Sequence, residues 1–183
     1  METKYFNIVS EKSKIEWIGR KVTGTHNGTI TIKEGTLVFT EDRFKSGQVI
    51  VDTTSITILD VTDPATNDQF AGHLASDDFF SSEKYPEAVL EITDAIPESD
   101  NDYHLNGNLT IKGITHPISF YATVYVIGQV LTASGKITID RTKYGMRFRS
   151  GNFFKDLGDT LIYNNFDLDV YITATTINKT VLA

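Results

Sequence analysis

The sequence predicts an all-β protein whose strands close into a barrel, and three observations lead to this fold class. Residues 103–126 alternate apolar and polar side chains almost without a break, and one compact turn at 113–117 interrupts them. Successive strand side chains point to opposite faces, so this segment forms an antiparallel hairpin with one buried face. Similar runs, joined mostly by short turns, recur along most of the 183 residues. A long strand series has to hide its edges, and closure into a barrel achieves this.

The individual strands are recognised by apolar residues at every second position, bounded by glycine, proline or polar turns. The first places Ile15 and Trp17 on its buried face, and the last buries alternate residues from Phe166 to Ala174. In chain order, eight or nine strands are expected at 14–22, 26–33, 35–40, 47–53 and 88–92, in the two halves of the hairpin, and at 131–139 and 166–174.

Two segments break the strand pattern. The connection 60–86 contains a short helical segment near residues 64–76, where Phe70 and Leu74 lie four apart on one face. A connection of this length inside a compact β domain is typical of a lid or a binding loop. The second segment, 140–158, places aromatic side chains between arginines and lysines. With no linker or internal repeat, a single domain over 1–183 is expected.

The composition excludes several function classes. A net charge of −7 argues against nucleic-acid binding, and the absence of cysteine excludes disulfides and thiolate chemistry. No apolar stretch is long enough to span a membrane, and the N-terminal residues lack a long apolar run, so a cytoplasmic protein without stable membrane insertion is expected. The four histidines are dispersed, and no catalytic, metal-binding or cofactor-binding motif is recognised. We therefore expect no enzyme, no metal and no cofactor.

Four motifs, in order and at matching spacing, resemble one known family. They are Ser-Lys-Ile-Glu-Trp at 13–17, an aromatic pair followed by Tyr-Pro at 79–86, Leu-Thr-Ile-Lys-Gly-Ile-Thr-His-Pro at 109–117, and Ile-Asp-Arg-Thr-Lys-Tyr-Gly at 139–145. Together they resemble the YceI-like family of polyisoprenoid-binding, lipocalin-like proteins over nearly the whole chain. The resemblance implies an extended eight-stranded antiparallel lipocalin-like barrel whose lumen holds a long isoprenoid or acyl chain. Many members of the family are exported.

The buried strand faces indicate a tunnel. An eight-stranded barrel is wide enough either to be filled by side chains or to hold one small ligand. Small residues occupy several inward positions, where a filled barrel would favour bulk: Gly28, Gly107, Ala122, Ala133 and Gly135. The alternative is that the glycines relieve strand curvature at barrel corners.

The predicted ligand contacts combine the inward faces with the two irregular segments. The apolar contacts are Trp17, Phe70, Leu74, Phe79, Leu90, Ile92, Leu109, Ile111, Phe120, Ala133, Ile137, Tyr144 and Phe148. His26 and Arg141 are the polar contacts, and one or two cations of the 141–149 stretch are expected to meet a polar or phosphorylated head group. The alternatives are that Trp17 and His26 are core residues, and that the cations pair with nearby acids.

These features predict a non-enzymatic carrier of a long-chain amphiphile: a polyisoprenoid, an isoprenoid quinone or a fatty-acid derivative. An enzyme that acts on such a lipid, with His26 or an aspartate near the mouth as its base, is one alternative. A barrel with a solid core that serves as an interaction module is another. A homodimer is also plausible, because Tyr121, Tyr125 and Tyr171 are expected on the outer surface.

Overall fold

The chain forms nine antiparallel strands and one helix in the computed structural model, which describes residues 2–177. Residue 1 and residues 178–183, which belong to the predicted domain, lie outside the described residues. The strands are β1 (Thr3–Ile8), β2 (Lys14–Lys21), β3 (Gly24–Thr40), β4 (Arg43–Ile58), β5 (Glu87–Pro97), β6 (Asp102–Ile111), β7 (Ile114–Ile127), β8 (Val130–Asp140) and β9 (Asn165–Thr176). The helix α1 (Pro64–Ala75) lies between β4 and β5.

The sheet closes into an eight-position barrel, which confirms the predicted fold. Strands β2 to β9 pair in chain order, and β9 returns to β2. The ninth strand adds no position, because β1 continues the line of β2 after a short 3-10 helix at Ser10–Lys12. It pairs with the last part of β3 and the last part of β9, beyond the reach of β2. The first barrel position is therefore filled by two consecutive strands.

Two boundaries differ from those expected. The predicted strands 26–33 and 35–40 are one strand, β3, with a register shift against β4 between Ile32 and Glu34. A bulge of this kind bends a strand without ending it. Gly35 follows the bulge because a Cβ there would lie 2.6 Å from the carbonyl oxygen of Gln48. The strand β1 was not expected, although Phe6 and Ile8 are both buried.

One end of the barrel is closed by aromatic side chains. The ring centroids of Phe6 and Phe39 lie 5.3 Å apart, those of Phe39 and Phe44 lie 5.4 Å apart, and those of Phe44 and Tyr103 lie 5.8 Å apart. The Tyr103 hydroxyl accepts a hydrogen bond from the backbone N–H of Phe44 at 3.3 Å. Offset and edge-on ring pairs of this kind stabilise a core beyond their buried area. We call these four residues the aromatic plug.

The opposite end is covered by α1, and the helix predicted near 64–76 is confirmed. Asp63 caps its N-terminus by accepting a hydrogen bond from the backbone N–H of Thr66 at 3.0 Å, and Pro64 occupies the first turn. The helix ends where the N–H of Ser76 bonds to the carbonyl of His73. No residue of α1 is buried. Leu74 is nevertheless partly buried and packs against the core, so the helix covers this end of the barrel through a limited apolar contact.

Close backbone approach explains two inward glycines that the sequence assigned to the tunnel. A Cβ on Gly107 would overlap the carbonyl oxygen of Glu91, and a Cβ on Gly28 would overlap that of Thr57 and the Trp17 ring. Neither glycine therefore provides empty space. The alternative, that these positions serve the shape of the sheet, is correct for both.

Replacing Gly107 by alanine is expected to lower the free energy of unfolding by about 1–3 kcal/mol, because Glu91 has to move. Gly72→Ala is the matched control: a Cβ there meets nothing within 4 Å, and alanine raises helix stability by up to about 1 kcal/mol. Urea unfolding followed by circular dichroism measures both. Equal stabilities for the two variants would contradict the close approach of β5 and β6.

Candidate ligand-binding tunnel

A tunnel runs from the aromatic plug towards α1 in two successive lobes. The inner lobe has a volume of about 100 Å³ and the outer lobe a volume of about 440 Å³. Six residues belong to the walls of both lobes: Ile15, Val51, Ala88, Leu109, Ile139 and Leu168. The shared wall residues place the two lobes next to each other along the barrel, and we call the pair the tunnel. The outer lobe alone falls within the roughly 300–1,000 Å³ that is common for small-molecule sites.

The inner lobe is apolar and blind. Phe44 of the aromatic plug is part of its wall, so the lobe ends at the plug. Among its wall residues, Ser134 alone has a polar side chain. Ala122 and Ala133 are small inward residues that leave space in this lobe. Gly135 also lines it, but a Cβ there would lie 2.8 Å from the carbonyl oxygen of Tyr121, so close backbone approach accounts for this glycine. Six of the predicted contacts line the lobe: Leu90, Ile92, Leu109, Phe120, Ala133 and Ile137.

The outer lobe is formed by the strand ends, α1 and the segment after β8. Eight further predicted contacts line it: Trp17, His26, Phe70, Leu74, Phe79, Ile111, Arg141 and Phe148. The structure thus brings together on one wall residues that are separated by more than a hundred positions in the sequence. Their contact with a ligand stays a prediction.

Tyr144 is the exception among the predicted contacts, because it lines neither lobe. A 3-10 helix at Arg141–Tyr144 turns its ring towards β7, where it lies edge-on to His116 with centroids 5.3 Å apart. Burial raises the pKa of the Tyr144 hydroxyl, and the charge of Asp140 adds to this. Tyr144 therefore lies behind the wall in this structure, and its contact with a ligand stays a prediction.

Several wall residues were missed by the sequence analysis. The alternation in β2 and β9 placed Ile15, Phe166 and Leu168 on inward faces, but they were not included among the predicted ligand contacts. Ile162 and Thr160 belong to the irregular segment before β9, and no sequence pattern marks their position on the wall.

A stacked aromatic contact connects α1 to the barrel rim. The Phe70 ring lies 6.5 Å from Trp17 in a stacked arrangement and 4.9 Å from His26, measured between centroids. The Trp17 indole N–H donates to the carbonyl of Thr57 at 3.0 Å, which fixes the ring over Gly28. Trp17 is therefore both part of the structural rim and part of the tunnel wall.

Two histidine–aspartate pairs flank the helix. His26 Nδ1 lies 2.7 Å from an Asp60 carboxylate oxygen, just before α1, and His73 Nε2 lies 3.0 Å from Asp78, just after it. The His73 ring also lies edge-on to Phe148, with centroids 4.6 Å apart. These contacts hold α1 over the mouth at both ends. None of the helix residues is fully buried.

The Asp60 carboxylate is stabilised in its charged form. Burial by itself would raise the pKa of Asp60, but the backbone N–H of Asn27 and the His26 ring outweigh burial, so the pKa is lowered. A carboxyl with a lowered folded-state pKa stabilises the fold above its unfolded pKa of about 3.9. That stabilisation is lost as the pH falls through the folded-state value.

Arg141 is the most buried charged residue of the mouth, with 3% of its surface exposed. Its guanidinium donates to three backbone carbonyls: Nε to Tyr163 at 3.0 Å, Nη1 to Met146 at 2.6 Å and Nη2 to Ile162 at 3.0 Å. Burial lowers the pKa of this group, and Asp140 partly opposes that effect. The side chain ties the segment after β8 to the segment before β9 and lines the outer lobe.

Asp60→Asn is expected to lower the free energy of unfolding by about 1 kcal/mol at pH 7, because it removes the charge-assisted contacts that fix the base of α1. The deficit should shrink as the pH falls below the unfolded-state pKa of about 3.9 and disappear below the lowered folded-state pKa of the Asp60 carboxyl. Urea unfolding at a series of pH values measures this. The control Asp68→Asn changes an exposed acid of α1 and should stay within about 0.5 kcal/mol. A pH-independent deficit for Asp60→Asn would contradict the assignment.

Two features are absent from the described residues 2–177: a metal-binding cluster and a membrane-spanning helix. No cluster of three or more histidine, aspartate and glutamate side chains there could hold a metal ion. Within the same residues, no helix has the length and apolar content needed to cross a bilayer.

The chain is similar to two groups of known proteins. It is 33% identical to UPF0312 protein plu2095 of Photorhabdus laumondii over 139 residues, which cover 72% of this chain and 65% of that protein. It is 35% identical to Protein YceI of Escherichia coli over 102 residues, which cover 56% of this chain and 49% of that protein. The alignments thus span about half to two thirds of the length of these relatives.

Solved structures share the fold. BcnA of Burkholderia cenocepacia superposes with a TM-score of 0.69 at 24% identity, covering 92% of this chain and 99% of that one. A polyisoprenoid-binding domain from Saccharophagus degradans superposes with a TM-score of 0.68 at 10% identity, covering 94% and 98%. At these identities the likeness establishes the barrel alone. The model of the YceI-like domain matches residues 6–174, and the chain therefore belongs to the YceI-like family.

Proposed function

We propose that this protein is a non-enzymatic carrier that holds the apolar tail of a single-chain amphiphile in the barrel tunnel. A polyisoprenoid, an isoprenoid quinone or a fatty-acid derivative would each supply such a tail. The observation that carries the proposal is the inner lobe, whose wall is apolar apart from the exposed residue Ser134 and which adjoins the wider outer lobe. The tail of a bound amphiphile would lie in the inner lobe, and its polar head group would remain at the mouth.

The energetics favour a tail of moderate or greater length. Burial of each CH₂ group contributes roughly 0.8 kcal/mol, so a five-carbon unit contributes about 4 kcal/mol before ordering costs. Association itself costs an estimated 4–15 kcal/mol in lost freedom. Several five-carbon units, or an acyl chain of similar size, are therefore needed for useful affinity.

The similarity to known proteins supports the class of ligand. One of the structures with this fold is described as a polyisoprenoid-binding domain, which fits a prenyl tail. We extend that description to this chain as a proposal, since the shared identity is 10%.

The geometry favours the carrier over the two alternatives. A solid-core module would have no tunnel, whereas this barrel contains two adjoining lobes. An enzyme would need reactive groups beside the bound lipid. His26 is paired with Asp60 at the mouth, and the wall of the inner lobe offers only Ser134. The homodimer stays a prediction: Tyr121, Tyr125 and Tyr171 are exposed on the outer barrel wall, as expected.

The test replaces a small residue on the wall of the inner lobe by a bulky one. Ala133→Phe is expected to abolish the uptake of long-chain amphiphiles, because the new ring occupies the space that the tail needs. Overpacking should cost about 1–3 kcal/mol of stability and leave the barrel folded. Thr132→Phe is the matched control, since residue 132 is the exposed neighbour on the outer face of β8.

Native mass spectrometry after incubation with palmitate, geranylgeraniol and a short-tailed quinone measures uptake by the wild type and both variants. We expect stoichiometric adducts for the wild type and Thr132→Phe, and a bare mass for Ala133→Phe. Equal uptake by a folded Ala133→Phe protein would contradict the tunnel assignment. A wild type that takes up none of the three probes would contradict the carrier function.

A further inference from the structure

The guanidinium of Arg141 is a buried charge without an ionic partner. No carboxylate of the described residues lies within ion-pair distance of it, and its three hydrogen bonds all go to neutral carbonyls. Five N–H groups are available on an arginine, so one N–H on each terminal nitrogen has no protein acceptor among the residues described. A buried charge is costly unless it is paired. The three carbonyls and the more distant charge of Asp140 offset part of this cost, and an anion at the two remaining N–H groups would offset more of it.

The side chain is held in place for such a partner. The three carbonyl contacts fix the plane of the guanidinium, which also lies 5.8 Å from the centroid of Phe79 on the tunnel wall. Arg141 cannot turn towards solvent without breaking these bonds, and it lines the outer lobe where the polar end of a ligand would lie. A fixed guanidinium can present its two remaining N–H groups to one oxyanion.

The rest of the mouth carries an excess of positive charge. The charged or titratable residues on the wall of the outer lobe are Arg20, Lys21, His26, His73, Arg141, Arg149 and Asp159. Asp167 pairs with Arg20 at 2.8 Å, and the two histidines pair with Asp60 and Asp78. Lys21 and Arg149 have no ion pair in the described structure, so three cations face the single carboxylate of Asp159. This excess occurs in a chain whose net charge is −7.

We propose that the tunnel selects amphiphiles with an anionic head group, a carboxylate or a phosphate ester, and that the oxyanion binds to Arg141 with Arg149 and Lys21 at the rim. The inference rests on the proposed function, since it names the head group of the same ligand. Fatty acids and prenyl phosphates are therefore expected to bind with higher affinity than alcohols and quinones that carry the same tail. The source of the anion, carboxylate or phosphate, is left to the binding test.

Matched ligand pairs separate the head group from the tail. Palmitate is compared with hexadecanol, and geranylgeranyl phosphate with geranylgeraniol, by competition against a fluorescent fatty acid at fixed ionic strength. The anion of each pair should bind roughly tenfold or more tightly, as expected for charge-assisted hydrogen bonds. Equal affinity within both pairs would overturn the anionic-head proposal and leave the carrier function intact. Failure of all four probes to bind would instead overturn the carrier function.

Two neighbouring arginines supply a matched pair of variants. Both arginines are exposed and lie over an aromatic ring, Arg149 at 4.9 Å from the Phe148 centroid and Arg147 at 4.6 Å from that of Phe153. They differ in that Arg149 lines the outer lobe and Arg147 does not. Arg149→Gln should reduce the preference for the anion several-fold, and Arg147→Gln should leave it unchanged, although both remove one positive charge. Equal losses in the two variants would show that only the overall charge matters and would overturn the proposal.

Arg141 itself needs a measurement without substitution, because its loss would free three buried carbonyls and could unfold the segment. Palmitate is labelled with ¹³C at the carboxyl carbon and bound to the protein. The NMR chemical shift of this carbon, followed as a function of pH, gives the pKa of the bound acid. An apolar site alone would raise the pKa of the bound acid above that of the free acid, whereas contact with the guanidinium lowers it. A bound pKa below the free value supports the proposal, and one at or above it overturns the proposal.

Discussion

Closure of the sheet, by the pairing of β9 with β2, is the constraint on which the rest of the structure depends. Once the eighth position is filled, every strand has one face that water does not reach, and the inward period-two residues have to be apolar. Bulky rings fill one end as the aromatic plug. Ala122 and Ala133 leave the middle open. The blind tunnel is therefore a consequence of closure combined with an uneven distribution of side-chain size along the barrel.

The two ends of the barrel differ in the forces that hold them. The plug end is a conventional core of interlocking rings, with Phe6 fully buried. The mouth end combines polar and aromatic contacts. Histidine–aspartate pairs lie beside α1, the Arg141 guanidinium is bonded to three carbonyls, and Phe70 stacks on Trp17. Regions with few buried apolar contacts open at lower free energy than the core. The arrangement gives a rigid base and an entrance that can open, which suits a protein that has to admit and release a long tail.

Sequence reasoning was most successful where structure is local. The alternation that places Leu109, Phe120 and Ile137 inside is a property of a few consecutive residues, and the helix at Phe70 and Leu74 follows from their spacing. It failed where the cause lies far along the chain. Gly107 and Gly28 were assigned to the tunnel, but their role depends on carbonyls of neighbouring strands. Likewise, the burial of Arg141 depends on carbonyls at Ile162 and Tyr163, which no pattern near residue 141 reveals.

The central claim is that a tail enters the tunnel first and the head stays at the mouth. The most direct measurement is a crystal structure of the protein with palmitate that carries bromine on its terminal carbon, with the bromine located by anomalous scattering. The account predicts one bromine peak in the inner lobe, beside Ala133 and Phe120, and the carboxylate within hydrogen-bond distance of Arg141. A peak at the mouth or on the outer wall, with the inner lobe free of ligand density, would contradict it.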